Sequence, residues 1–174
     1  MENRKLKIIK RLIAFFIIIL FLSGLTAIPV DQELSVLLNF FQPDTLVCHW
    51  LQKVLLAYRN VKTQYSFLLY GYDWLAFAHF ILAILFSGPW KDPVRNIWVI
   101  KFGLISCVLI LPYAFMAGYF RGIPLGWRFI DCFFGVFGFF SLWICYSKTK
   151  TLAYKHLNHQ TKTDYGNHCT KHMD

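Results

Sequence analysis

Four stretches of this sequence are long enough to cross a membrane as helices and carry almost no charge, a pattern that excludes most folds. Leu12 to Val30 is 19 residues without a charged side chain. At ~1.5 Å of rise per residue it reaches across a ~30 Å hydrocarbon layer. Three more follow: Trp74 to Trp90, Ile97 to Phe120 with Lys101 near its start, and Gly126 to Ser147 with Arg128 and Asp131 near its start. Only helices satisfy their own backbone hydrogen bonds in such segments, and the alternating ten-residue strands of a membrane barrel do not occur. The expectation is an all-α chain, a four-helix transmembrane bundle. Composition agrees: 57% of the residues are hydrophobic and 16% charged, and the 18 Phe, 9 Tyr and 6 Trp sit inside long apolar runs.

The first run is either a span or a signal peptide. Arg4, Lys5, Lys7, Lys10 and Arg11 form a basic flank that suits both. A cut after Ala27 would place Leu25 where processing wants a small side chain, which favours an uncleaved anchor.

The formal charge of +9 is spread along the edges of the apolar runs, so it reads as a topology signal and not as a nucleic-acid surface. With the N-terminus inside, twelve Lys and Arg fall on the inner side: the five of the N-terminal flank, Lys91, Arg95, Lys148, Lys150, Lys155, Lys162 and Lys171. Five fall outside: Lys53, Arg59, Lys62, Arg121 and Arg128. Lys101 lies near the inner end of the third span, where its stem can snorkel. The bias places both ends in the cytoplasm, and Trp74, Trp90, Trp98 and Trp127 fall at span ends, where interfacial aromatics belong.

Residues 31–62 are neither a span nor a polar loop. Asp31 is placed to cap a short helix through Phe41, and Pro43-Asp44 punctuates the start of another. In the second, Val47, Trp50, Leu51, Val54, Leu55 and Tyr58 share one helical face, with His49, Gln52 and Lys53 opposite. This predicts an amphipathic interfacial segment that lies on the outer surface or caps the bundle by packing on the other helices, with Cys48 accessible from outside.

Small residues mark the packing faces. Ala76, His79, Ala83 and Ser87 share an arc of the second span, and Cys132, Gly135, Gly138 and Cys145 form a stripe on the fourth. The third offers Gly103, Ser106, Cys107, Ala114 and Ala117, with Pro112 a predicted kink. Such stripes let helix backbones approach one another in lipid.

An ionisable group facing lipid costs ~2.5 kcal/mol or more near mid-membrane, so the polar residues of the spans are the functional candidates. These are Asp73, His79, Arg121, Arg128 and Asp131, all in the outer half of the scheme. Arg128 and Asp131 stand at i and i+3 and can pair. A polar pocket open to the outer side, taking a lipid, another hydrophobic ligand or a membrane partner, is one reading. The blander one makes Arg128 and Asp73 anchors or caps, Asp131 a counter-ion and His79 a buried hydrogen-bonding residue. A membrane enzyme with His79 and Asp131 in acid–base roles is the alternative function. A single four-span chain without inverted repeats is a poor transporter unless it is a homo-oligomer.

The tail from 148 to 174 is polar, and a disordered basic segment against the inner leaflet is expected there. It carries His156, His159, His168, Cys169 and His172, which would suit a metal only if the tail were helical. The five cysteines show no Cys-x-x-Cys, and no Gly-rich phosphate loop, nucleophile elbow or His-Glu-x-x-His occurs, so no cofactor is called for.

The stretch Tyr72-Asp73-Trp74-Leu75-Ala76-Phe77-Ala78-His79, with Gly88-Pro89-Trp90-Lys91-Asp92-Pro93-Val94-Arg95-Asn96, Arg121-Gly122-Ile123-Pro124 and Trp127-Arg128-Phe129-Ile130-Asp131-Cys132, resembles a group of small uncharacterised bacterial membrane proteins. The resemblance covers Tyr72 to Ser147. It implies a four-span inner-membrane protein and no particular activity.

Reporter fusions test the orientation. Fusions after Asn96 and after Lys150 should read cytoplasmic, and fusions near Lys62 and Gly122 external; an external reading at Lys150 would remove the scheme.

Overall fold

The computed structural model describes the backbone of residues 2–170 and the side chains of residues 4–154. It is all-α: α1 (Glu2–Thr26), α2 (Val30–Leu38), α3 (Leu46–Gln64), a 3₁₀ turn (Ser66–Leu69), α4 (Tyr70–Lys91), α5 (Ile97–Phe120) and α6 (Leu125–Thr170). Four helical stretches are long and apolar enough to cross a membrane: Arg4–Thr26, Ser66–Lys91, Ile97–Phe120 and Leu125–Tyr154. Four such helices are the hallmark of a multi-pass membrane protein.

The third span begins and ends where the apolar run does, and the others are longer than their runs. α1 starts at Glu2 because Lys and Arg are good helix formers, so the basic flank continues the helix instead of ending it. α6 continues past Lys148 to Thr170. The backbone expected to be disordered is therefore helical to that point. The side chains of His156, His159, His168, Cys169 and His172 lie outside the described residues, and so does the metal site considered for them.

The chain divides into two compact units, residues 17–84 and residues 1–16 with 85–174. In the first, α1 and α4 meet where a Cβ on Gly24 would sit 2.7 Å from Phe80 Cε1 and 3.0 Å from the Ala76 carbonyl oxygen. Phe21 and Phe80 pack with ring centroids 5.2 Å apart beside this crossing. α2 and α3 form a short helical pair. Asp31 is not the cap of α2, since Pro29 occupies that position and Asp31 lies in the first helical turn. From there it accepts a hydrogen bond from Arg59 Nε at 2.9 Å and faces Lys62 Nζ at 3.6 Å, while Arg59 Nη2 donates to Ser35 Oγ at 3.1 Å. The cap of α3 is Thr45, whose hydroxyl accepts from the Cys48 amide.

Cys48, Leu51 and Leu55 form the buried line of α3, whereas Val47 is exposed. The buried arc is thus rotated toward Cys48 relative to the face read from the sequence. Cys48 is 3% exposed, which overturns the expectation that it is accessible from outside.

In the second unit the start of α1 packs through Ile9 and Ile13, both fully buried, and Cys145 of α6 points its thiol at the Ile9 carbonyl. α5 and α6 run antiparallel along one seam. A Cβ on Gly103 would meet Leu142 Cδ1 and Phe86 Cζ, each at 2.7 Å. One on Gly138 would meet Cys107 Sγ at 3.0 Å, and one on Gly135 the Cys107 carbonyl oxygen at 3.1 Å. Cys132, Gly135 and Cys145 are buried, as the stripe requires, while Phe133, Phe134, Phe137 and Phe140 of the same helix are exposed. Small side chains inside and large aromatic ones outside invert the pattern of a water-soluble protein, and lipid is the solvent that favours this. Pro112 lies within α5, which stays helical through it.

The α4–α5 connection is tied by side chains. Asp92 Oδ1 accepts from the amides of Val94 and Arg95 at 3.1 and 3.0 Å, and Asn96 Nδ2 donates to the carbonyls of Gly88 and Asp92. These four bonds hold the turn between two spans in place of a longer loop.

Candidate functional site: a polar-mouthed pocket between α5 and α6

The turn from α5 to α6 is built by Arg121-Gly122-Ile123-Pro124. Gly122 takes a φ of 65°, the left-handed conformation that costs an L side chain and suits glycine. The Ile123 amide then donates back to the Gly118 carbonyl at 2.9 Å and the Gly122 amide to Tyr119 at 3.2 Å. This pair of bonds is the Schellman close of a helix, and it satisfies carbonyls that would otherwise end the span unpaired. Pro124 follows, where the helix cannot continue, and its carbonyl accepts from the amides of Trp127 and Arg128 as α6 begins.

The turn leaves the Ile123 carbonyl facing α6, and Arg128 takes it. Its Nε donates to that oxygen at 2.8 Å. The Arg128 stem lies across Gly118: a Cβ there would sit 2.7 Å from both Cδ and Nε of Arg128. The guanidinium is therefore held by a missing side chain on one helix and a freed carbonyl in the turn. Its remaining N–H groups are left for other partners.

Beside Arg128 is a cavity of about 340 Å³ lined by Ile110, Tyr113, Ala114, Ala117, Gly118, Arg121, Ile123, Arg128 and Asp131. All of these residues belong to one compact unit. Arg121 and Arg128 stand at the turn end and Asp131 nearly one turn farther along α6, while Ile110, Tyr113, Ala114 and Ala117 continue down α5 at i, i+3, i+4 and i+7 as an apolar wall. Its two ends thus differ in chemistry. Polar groups near the membrane surface and an apolar strip toward its middle match an amphiphile better than a wholly polar or wholly apolar ligand.

Three of the five residues singled out from the sequence, Arg121, Arg128 and Asp131, come together here. The expected Arg128–Asp131 ion pair is not formed; among the described residues the ion pairs are those of Asp31 with Arg59 and Lys62. The turn carbonyl competes for the guanidinium at shorter reach than the i+3 carboxylate. Asp73 and His79 belong to the other unit. There Asp73 is exposed in the first turn of α4, and His79 Nδ1 bonds the Leu75 carbonyl at 2.7 Å, one turn back. A carbonyl can only accept, so this bond fixes the proton on Nδ1 and leaves Nε2 free.

Gly118 and Ile123 were missed by the sequence reading. Gly118 continues the Cys107–Ala114 line at the next helical step, a signal present in the spacing. Ile123 acts through its backbone carbonyl, which side-chain identity does not reveal.

No protein-family model matches this chain, and neither do curated proteins or solved structures.

The seat of Arg128 predicts how the two charges behave when removed. Arg128→Gln should destabilise the protein by about 1.5–3 kcal/mol, the worth of a hydrogen bond to a charged group. Asp131→Asn should leave the yield of folded protein close to normal. The double variant should resemble Arg128→Gln alone in thermal unfolding in detergent, because no ion pair links the two; recovery toward wild type would restore the pair.

Proposed function

We propose that this protein is a multi-pass protein of a bacterial inner membrane, with both ends cytoplasmic, that binds a lipid or another hydrophobic ligand through the outward-facing pocket between α5 and α6. The observation that carries this reading is the meeting in one pocket of three charged residues, Arg121, Arg128 and Asp131, with an apolar wall along α5. Charged side chains are costly in a span, and a bundle that needed only to pack would do so with its small residues alone. The Lys and Arg bias supports the orientation, and it sets the α5–α6 turn on the outer side.

The pocket lies along two helices that are long and apolar enough to stand in lipid. A ligand already dissolved in the bilayer reaches it without crossing water, so binding asks little desolvation of its apolar part. The rigid seat of Arg128 reduces the ordering cost on the protein side. His79 is engaged by the Leu75 carbonyl and serves α4 as a hydrogen-bonding residue.

Filling the pocket tests the reading. Ala117→Trp should lower the lipid that co-purifies in mild detergent, read by mass spectrometry, several-fold below wild type. Phe133→Trp, at an exposed site on α6 away from the pocket, should retain it. Equal retention in both variants would remove the pocket from the account.

A further inference from the structure

We infer that the ligand of this pocket is a monoacyl glycerophospholipid, its phosphate against Arg121 and Arg128 and the free hydroxyl of its glycerol against Asp131, nearly one turn deeper. This rests on the proposed function and names the chemical class that the same site takes.

The depth order of the charges carries it. Arg121 ends α5, and Arg128 lies across Gly118, roughly 4.5 Å farther in at the α-helical rise. Asp131 stands another ~4.5 Å along α6. The seam fixes what Asp131 is level with: Gly118 meets Arg128 and Gly135 meets Ile110, so Asp131, between them, falls beside Ala114. From the turn inward the pocket therefore presents two cations, then an acid, then an apolar strip. A ligand that matches it carries an anion at its outer end, a hydrogen-bond donor next and a hydrocarbon chain last.

Few lipids have their groups in that order. In a diacyl phospholipid the groups between phosphate and chains are ester oxygens, which only accept, and a carboxylate only accepts as well. An ammonium in the headgroup lies on the water side of the phosphate, away from Asp131. A fatty acid has no donor below its carboxylate. Where one acyl chain is missing, the glycerol keeps a hydroxyl on the chain side of the phosphate. The bridge from phosphorus to that oxygen covers roughly 4–5 Å at ordinary bond lengths, which matches the step from Arg128 to Asp131. A hydroxyl that donates to a carboxylate forms one of the stronger hydrogen bonds. The N–H groups that Arg128 has left after its Nε bond to the Ile123 carbonyl suit the phosphodiester.

Size and charge agree with a single chain and a single anion. The cavity of about 340 Å³ is near the lower end of ligand pockets, and its apolar lining on α5 is one strip. Ala114 and Ala117 leave width for the glycerol, and Ile110 and Tyr113 border the start of the chain. A ceramide-based phospholipid also has donors at the level of Asp131, but it brings a second chain to that one strip. Two arginines and one carboxylate leave one positive charge, which one phosphodiester neutralises. Asp131 has no ion pair among the described residues, and the glycerol hydroxyl supplies the donor that its carboxylate lacks.

Four lipids with the same phosphocholine headgroup decide the matter. They are the octadecyl ether form of lysophosphatidylcholine, the same molecule with its glycerol hydroxyl capped as a methyl ether, dioleoyl phosphatidylcholine and oleoyl sphingomyelin. The full-length protein, delipidated in detergent, is titrated with each, and bound lipid is read by native mass spectrometry. Wild type should hold the hydroxyl lipid about tenfold more tightly than its methyl ether, the lower end of what a hydrogen bond to a charged group supplies. It should hold both two-chain lipids several-fold more weakly than the hydroxyl lipid. Asp131→Ala should bring the hydroxyl lipid down to the level of the methyl ether and leave the methyl ether unchanged. Arg121→Gln should weaken both alike. Equal binding of hydroxyl lipid and methyl ether by wild type, which needs no variant, would overturn the assignment and leave a lipid site standing, as would a preference that survives in Asp131→Ala. Tighter binding of sphingomyelin or of dioleoyl phosphatidylcholine would overturn the single chain. Binding of no lipid at all would overturn the proposed function with it.

Discussion

Lipid offers helices no hydrophobic reason to associate, so everything in the α5–α6 half of this protein depends on how closely two backbones can approach. The seam keeps a single antiparallel register. Phe115 packs on Phe129 at 5.5 Å between ring centroids, Cys107 faces Gly138, Gly103 lies beneath Leu142, and Lys101 Nζ stands 5.8 Å from the centre of the Tyr146 ring. Close approach at Gly135 and Gly138 supplies dispersion contacts where no water is displaced. The same register brings Gly118 opposite Arg128, and so the packing of the seam also seats the charge that gives the pocket its polar mouth.

The turn performs two tasks with one conformation. A positive φ at Gly122 closes α5 and satisfies its last carbonyls, and it turns the Ile123 carbonyl toward α6. A side chain at Gly122 would strain that backbone, and one at Gly118 would collide with the Arg128 stem. Structure and site therefore share residues here, which is why charge can persist in a span without an ion pair. The cost of partly burying a guanidinium is offset by a hydrogen bond formed before any ligand arrives.

Much of the fold was legible in the sequence because apolar length is a non-specific but reliable signal. Ile97 to Phe120 is both the charge-poor run and the observed helix. Helix ends were less legible, since a helix need not stop where lipid does: Lys and Arg before Leu12 and after Ser147 continue the same turns. Asp31 illustrates a local rule overruled by the chain around it. Pro29 takes the cap, and Asp31 serves instead to bind Arg59 and Lys62 across the α2–α3 pair. The charged residues of the candidate site could be listed from sequence, and three of them meet in one pocket. Their connections could not be listed, because spacing along α6 offered Arg128 a carboxylate while the fold offered a carbonyl five residues back across a turn.

Cross-linking measures the seam on which the pocket depends. A Cβ at position 138 would lie 3.0 Å from Cys107 Sγ, close to the separation across a disulfide. Gly138→Cys, oxidised in the membrane with a copper catalyst, should form an intramolecular bond to Cys107 that shifts the reduced band on a gel and disappears when Cys107 is replaced by Ser. A Gly138→Cys protein that stays reduced, or that links only to a second copy, would contradict the α5–α6 register and the site built on it.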